Sequence, residues 1–264
     1  MNTNHTPHFT SHELAEQIND HIEELAKATD AARVSAEMTR YLETCARFHQ
    51  YSWHNIWLIL IQCPHATQVA GFRKWRSMNR FVSKGEKGIP ILAPILIKEE
   101  QPDGEDRQFL RGFKVVYVFD ISQTDGEPLP EPPNWKSPEK NEVLAERLID
   151  FAREKGITVT EKVLAGETQG VSKVGVIEVD PTAGTKTLIH EIAHEMIHKD
   201  SNALLERSIK ELEAEAVAFV VGKHFGLEAT GSPNYIALHG LDATTIMAHL
   251  EGIRNTATLI IQAV

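Results

Sequence analysis

Apolar residues recur every three or four positions through the first sixty residues, with Leu14, Ile18, Ile22 and Leu25 on one face. This period predicts helices over Phe9–Ala28 and Ala31–Ile61. Ser11 offers an N-cap to the first, and Pro64 stops the second. The rhythm then changes. Gln68–Phe72, Ile89–Ile97 and Phe113–Phe119 are rich in β-branched and aromatic residues and separated by glycine turns, which reads as strands, with Gln101–Asp106 as a hairpin loop. Gly126–Asn141 holds five of the chain's twelve prolines and has no apolar period, the composition of a linker. Beyond it the pattern predicts a helix over Pro138–Lys155, strands at Ile157–Thr160 and Gly175–Val179, a helix after Gly184, a long helix over Leu204–His224, and a last pair over Asn234–His239 and Asp242–Ala263. The fold class is α+β in two domains, residues 1–125 and 141–264, joined by a Pro-rich linker at 126–140.

The helix after Gly184 carries polar residues that its apolar neighbours would bury. Thr187–His198 contains His190-Glu191-Ile192-Ala193-His194, an H-E-x-x-H pattern flanked by Leu188, Ile189, Met196 and Ile197. Histidines four apart lie about 40° apart around a helix and about 6 Å along it, so both imidazoles can converge on one ion. Glu191 would then reach a water at the ion rather than the ion and act as general base. His198 continues the series but lies about 12 Å along the axis from His190, too far to share its ion, and reads as an outer hydrogen-bond partner.

Composition narrows the chemistry. The 264 residues are 42% hydrophobic, enough for one large or two ordinary domains. The longest apolar run, Ile56–Ile61, is too short to span a bilayer, and the N-terminal residues show no signal-peptide pattern, so a cytoplasmic protein without membrane contact is expected. The two cysteines, Cys45 and Cys63, have no paired-ligand spacing, which leaves His and Glu to bind the metal. The expected cofactor is one Zn2+ ion, with Mn2+ or another divalent metal as the alternative. A net charge of −10 argues against indiscriminate polyanion binding, yet between Gly71 and Lys98 seven cationic residues face Glu86 alone. The acidic residues form no long block of the kind a DNA mimic would need.

A catalytic zinc needs a third protein ligand. The next helix offers Glu211, Glu213 and Glu215. Glu211 and Glu215 share a face, and Glu213 points about 160° away. Ala214, Ala216 and Ala218 allow close helix approach around Glu215, which makes it the expected ligand, with Glu211 hydrogen-bonding a liganding histidine. Glu213 and Glu211 remain the alternatives.

His190–His194 followed by Glu215-Ala216-Val217-Ala218-Phe219 resembles the metallopeptidase half of the ImmA/IrrE family, whose pattern is H-E-x-x-H and then E-A-x-x-F. That resemblance also favours Glu215, and it implies a zincin-like domain with Gly175–Val179 as the edge strand over which a peptide is laid. Tyr51–Asn55, Gln62-Cys63-Pro64, Ala70–Trp75, Lys84–Ile89 and Phe119–Thr124 resemble the ArdC-type single-stranded-DNA-binding domain. Together the two resemblances cover nearly the whole chain in the same order. They imply a mobile element and a role in antirestriction or in establishing incoming DNA. His239 stands where the relatives are expected to carry an aromatic residue. Tyr235 or His239, following the ligand helix, is a candidate for oxyanion stabilisation.

Single strands are held by cations tracking phosphates and by aromatic faces on which bases stack. Arg73, Lys74, Trp75, Arg76, Arg80, Lys84 and Lys87 combine both features and are the expected DNA contacts, whereas Trp53 and Trp57 lie among Ile56, Leu58, Ile59 and Leu60 and read as core. The expected protein is a zinc-dependent metallopeptidase tethered to single-stranded DNA and cutting a protein or peptide substrate. Two alternatives stand beside it. One is a DNA-binding protective protein with a structural or vestigial metal site; the other is a regulatory protease cutting one repressor.

Overall fold

The computed structural model describes residues 9–28, 31–100, 106–129, 141–199, 207–227 and 241–264. The chain forms two units. The first takes residues 1–21 and 54–130, and the second takes 22–53 and 131–264. The expected boundaries, 1–125 and 141–264, assigned residues 22–53 to the first domain. In the structure they pack with the second, because the apolar face of their helix, Met38, Tyr41, Leu42 and Cys45, is buried there. Of the linker expected at 126–140, residues 130–140 lie outside the described residues.

Helix α1 (Ser11–Lys27) opens on a capping box: Thr10 Oγ1 accepts from Glu13 N–H, and the Glu13 carboxylate accepts from Thr10 N–H. The single helix expected over Ala31–Ile61 is two, α2 (Ala31–Arg47) and α3 (Trp53–Gln62). The break frees the carbonyl of His49, which accepts from Arg254 Nη2 and Thr258 Oγ1, each at 3.0 Å.

In the first unit, β1 (Val69–Gly71), β4 (Asp106–Asp120) and β3 (Ile89–Glu100) form an antiparallel sheet in the order β1-β4-β3. Most of the expected hairpin loop, residues 101–105, lies outside the described residues; Asp106 already pairs with Glu100. Asn55 locks α3 to this sheet. Its side-chain amide donates to Leu92 O and accepts from Leu92 N–H, both at 2.8 Å, while Gln62 Nε2 donates to Pro90 O. Trp57 is fully buried, and Trp53 is buried with it. A short helix α4 (Phe72–Ser77) follows β1, and a small ribbon pairs β2 (Arg80–Val82) with β5 (Thr124–Gly126).

In the second unit, β6 (Thr158–Glu161) runs parallel to β8 (Val176–Val179), and β7 (Gly170–Ser172), which the apolar pattern did not predict, pairs antiparallel with β8. The strand order β6-β8-β7 puts β8 in the centre and β7 at the edge. Helix α5 (Glu142–Glu154) is capped by the side chain of Asn141, and α6 (Thr185–His198) carries the H-E-x-x-H pattern. Helix α7 (Arg207–His224) is buried over most of its circumference and packs on α2, α6 and α8 (Ala243–Ala263). A helix apolar on so many sides belongs in a core, and its charged residues then need partners. The segment expected to be helical at Asn234–His239 lies outside the described residues.

Candidate metal centre and candidate nucleic-acid interface

His190 and His194 project from successive turns of α6, and their Nε2 atoms lie 3.0 Å apart. From α7, Glu211 Oε2 approaches both, at 3.5 Å from His190 Nε2 and 3.7 Å from His194 Nε2. Among the described residues, His190, His194 and Glu211 are the set of His, Cys, Asp and Glu side chains whose ligand atoms converge within 4.8 Å of one another. Glu215 sits elsewhere. Its Oε2 lies 3.4 Å from His190 Nδ1, on the far side of the ring, and its Oε1 accepts from Lys186 Nζ. The structure thus brings Glu211, where Glu215 was expected, to the Nε2 atoms: one turn of helix carries Glu215 past them to the Nδ1 side of His190.

Glu191 is buried beside this cluster and takes a backbone hydrogen bond from Ser172 on β7. The strand comes this close because residue 170 is glycine. A Cβ there would lie 2.8 Å from both Cγ and Oε1 of Glu191 and 2.9 Å from Thr187 Cγ2. Glu195, also buried, holds the turn after β7, accepting from Ser172 Oγ at 2.5 Å and from Gly175 N–H at 2.6 Å. Between them Val174 adopts φ 36°, an unusual conformation for a β-branched residue. The strand β7, its turn, α6 and the start of α7 enclose an open cleft of about 540 Å³ containing His190, Glu191, His194 and Glu211. The strand bordering the cleft is thus β7; Gly175–Val179, expected at the edge, is β8 and has a neighbour on both sides.

The charges follow from this packing. Burial disfavours the cation at both histidines. At His190 the hydrogen bond to Glu215, with Glu191 and Glu211 nearby, reverses that effect and raises the pKa above the usual imidazole value. His194, buried and facing His190, is pushed down to about 4, so its imidazole is neutral, the form that binds metals. Burial pushes the Glu191 carboxyl upward, a shift that favours proton transfer near neutral pH. Glu215 is held below the usual carboxylate range, burial being outweighed by His190 and Lys186.

His198 contacts His194, Nδ1 to Nδ1 at 3.1 Å, and its Nε2 lies 2.8 Å from Glu213 Oε2. Glu213 does point away from Glu211, as its helical position required, but toward His198 and His249 rather than to solvent. Sequence reasoning missed Gly170, Glu195 and His249. The available signal was a carboxylate at Glu213 within a run of Leu, Ala and Val that a buried helix could not leave unpaired. Tyr235 and His239 lie outside the described residues.

In the first unit the basic stretch divides into structural and free residues. Trp75 is 1% exposed, and its Nε1 donates to Phe119 O at 2.8 Å, so it is core and offers no face to a base. Arg80 is bound by Thr124 Oγ1, Thr124 O and Glu127 O at 2.6–3.0 Å, clamping β2 to β5 and the residue beyond. Both departures from expectation have one cause: a short α4–β2 segment has few apolar residues and recruits Trp75 and the Arg80 guanidinium to hold it down. Arg73, Lys74, Arg76, Lys84 and Lys87 are exposed, and so are Phe72 (53%) and Phe81 (56%), which provide aromatic faces among them. The loop bearing Lys84 and Lys87 is fastened by Gln123, whose Nε2 donates to Lys87 O and to Glu86 Oε2. Gln123 in turn closes a capping box with Asp120 over the 3-10 turn Ile121–Gln123; Asp120 also accepts from Thr67 and Gln68 N–H. The Phe119–Thr124 motif is thus a bracket for the basic loop.

Residues 10–119 match the family described as the N-terminal domain of anti-restriction factor ArdC. The matched segment includes α2, which packs in the second unit. An uncharacterized protein of Bacillus anthracis is 27% identical over 76% of this chain, which spans 42% of that protein's length. The antirestriction ArdC protein from the R388 plasmid aligns with a TM-score of 0.48 in two crystal structures: metal-free, at 20% identity over 81% of this chain and 82% of that one, and Mn(II)-bound, at 19% identity over 84% and 97%. Among the described residues no helix is long and apolar enough to cross a membrane.

Proposed function

We propose that the second unit is a metal-dependent peptidase and the first a single-stranded-DNA-binding module, acting together on proteins at DNA in antirestriction or the establishment of a mobile element. The observation that carries the reading is the convergence of His190 Nε2, His194 Nε2 and the Glu211 carboxylate beside buried Glu191, in a cleft bordered by an edge strand. Two imidazole Nε2 atoms and one carboxylate on one open side fit a divalent ion such as Zn2+ or Mn2+, which would take the place of the proton that the neighbouring carboxylates favour on His190. A bound ion would supply Lewis acidity to a peptide carbonyl and acidify an attacking water. The chain's own residues do the rest. Glu191 accepts a proton from the water and returns it to the leaving amine. A peptide in extended form adds to the free edge of β7 through main-chain hydrogen bonds, with Gly170 leaving room for Glu191 beneath it. Lys186 and Glu215 hold the His190 ring.

In the first unit, Arg73, Lys74, Arg76, Lys84 and Lys87 track phosphates, and Phe72 and Phe81 offer stacking faces, each stack worth about 1–3 kcal/mol. The test is to incubate Glu191→Gln and wild-type protein, both metal-loaded, with casein and with DNA-bound proteins, in the presence and absence of single strands. The variant is expected to keep its metal and lose cleavage. Cleavage by both alike would overturn the mechanism, and cleavage by neither would favour a protective protein whose metal site is structural.

A further inference from the structure

The Nδ1 of His194 does not meet a carboxylate as the Nδ1 of His190 does; it meets a third histidine. His198 stands between His194 and Glu213, and Glu213, 4% exposed on α7, is also reached by His249 Nδ1 of α8 at 2.8 Å. Helices α6, α7 and α8 each contribute to this chain of contacts.

We infer that Glu213, held by His249 and acting through His198, is a positioning residue for the His194 ligand, so that metal affinity at the cleft depends on a residue of the C-terminal helix. The inference rests on the metal-site reading above. Its warrant is that the contacts admit one consistent direction of donation. If His194 Nε2 offers its lone pair to the cleft, its proton is on Nδ1, which donates to His198 Nδ1. His198 Nδ1 is then an acceptor, which places its proton on Nε2, 2.8 Å from Glu213 Oε2. The remaining oxygen of Glu213 accepts from His249 Nδ1–H. Every polar atom in the sequence has a partner of the right kind, and the negative charge at its end favours the tautomer that binds metal at the other. His190 reaches the same result directly through Glu215. A purely structural ion pair between helices would need no histidine between the ligand and the carboxylate.

The test uses the full chain, with Mn(II) and Zn(II) alone as probes. Long-range proton–nitrogen spectra of the metal-free protein are expected to show His198 as the Nε2–H tautomer and His249 as the Nδ1–H tautomer; the opposite tautomer at His198 would overturn the inference. Metal titration should give a Kd raised about 10- to 100-fold in His198→Leu and Glu213→Gln. His198→Gln, which can still accept from His194 and donate to Glu213, should recover most of the loss, whatever the effect of Glu213→Gln on folding. Equal affinities in wild type, His198→Leu and His198→Gln would overturn the inference and leave the metal site standing. A wild-type chain that binds neither metal would overturn both.

Discussion

The placement of Glu211, rather than Glu215, beside the two Nε2 atoms makes a sharp prediction. Glu211 Oε2 lies within 3.7 Å of both Nε2 atoms, whereas Glu215 meets only His190 Nδ1 and Lys186. Structural zinc sites release about 10–16 kcal/mol over four ligands, so each ligand accounts for about 3 kcal/mol. At 1.4 kcal/mol per tenfold, Glu211→Gln should weaken binding by about 10²- to 10³-fold. Glu215→Gln removes an orienting partner of a ligand and should cost about 10- to 100-fold. Competition for Zn(II) against a chromophoric chelator reads both values, and circular dichroism of the metal-free variants shows that they fold. A larger loss in Glu215→Gln than in Glu211→Gln would refute the geometric argument and restore the assignment by helix spacing.

Gly170→Ala places a methyl against Glu191 and should reduce cleavage about 100-fold with little change in metal Kd, as expected for a displaced base; unchanged turnover of casein would show that β7 does not fix Glu191. Arg73→Ala with Arg76→Ala should reduce the salt dependence of single-strand binding by about 0.7 in log–log slope per lost phosphate contact at an unchanged melting temperature, whereas Arg80→Ala should lower melting and leave the slope alone. Asp120 should make stability acid-sensitive. Burial pushes its carboxyl up, but hydrogen bonds from Ser122, Thr67 and Gln68 prevail and hold it below its unfolded value of about 3.9. Its contribution is therefore full above that value and lost as pH falls through the folded pKa. The stability gap between wild type and Asp120→Ala, measured by urea titration, should narrow below about pH 4; a gap independent of pH would contradict it.

The H-E-x-x-H helix, the following glutamate helix and the strand-rich first half were legible because each depends on local periodicity. What escaped depends on partners distant in sequence. Glu211 and Glu215 share a helical face, and only the seating of α7 against α6 decides which meets the Nε2 atoms. Strand β7 is three residues long and carries no run of β-branched residues; its identity comes from pairing with β8. Trp75 and Arg80 look like a nucleic-acid surface by composition, yet Phe119 and Thr124, more than forty positions away, claim them. Exposed Phe72 and Phe81 show the reverse, aromatics left free once the core is filled.

The placement of α2 in the second unit also governs how the protein is made. His224 Nδ1 meets Ala46 O at 2.9 Å across 178 positions, and Arg254 Nη2 meets His49 O across 205. At about 5–20 residues per second, a ribosome needs roughly ten to forty seconds to deliver those partners after α2 has emerged. Through that interval the apolar face of α2, with Met38, Tyr41 and Leu42, lacks α7, the helix of its own unit on which α2 packs, while the sheet of the other unit is being completed beside it in the chain. The second unit is thus begun before the sheet of the first and finished last, and a fragment ending near residue 125 would carry a helix whose apolar face belongs to the half that was cut away.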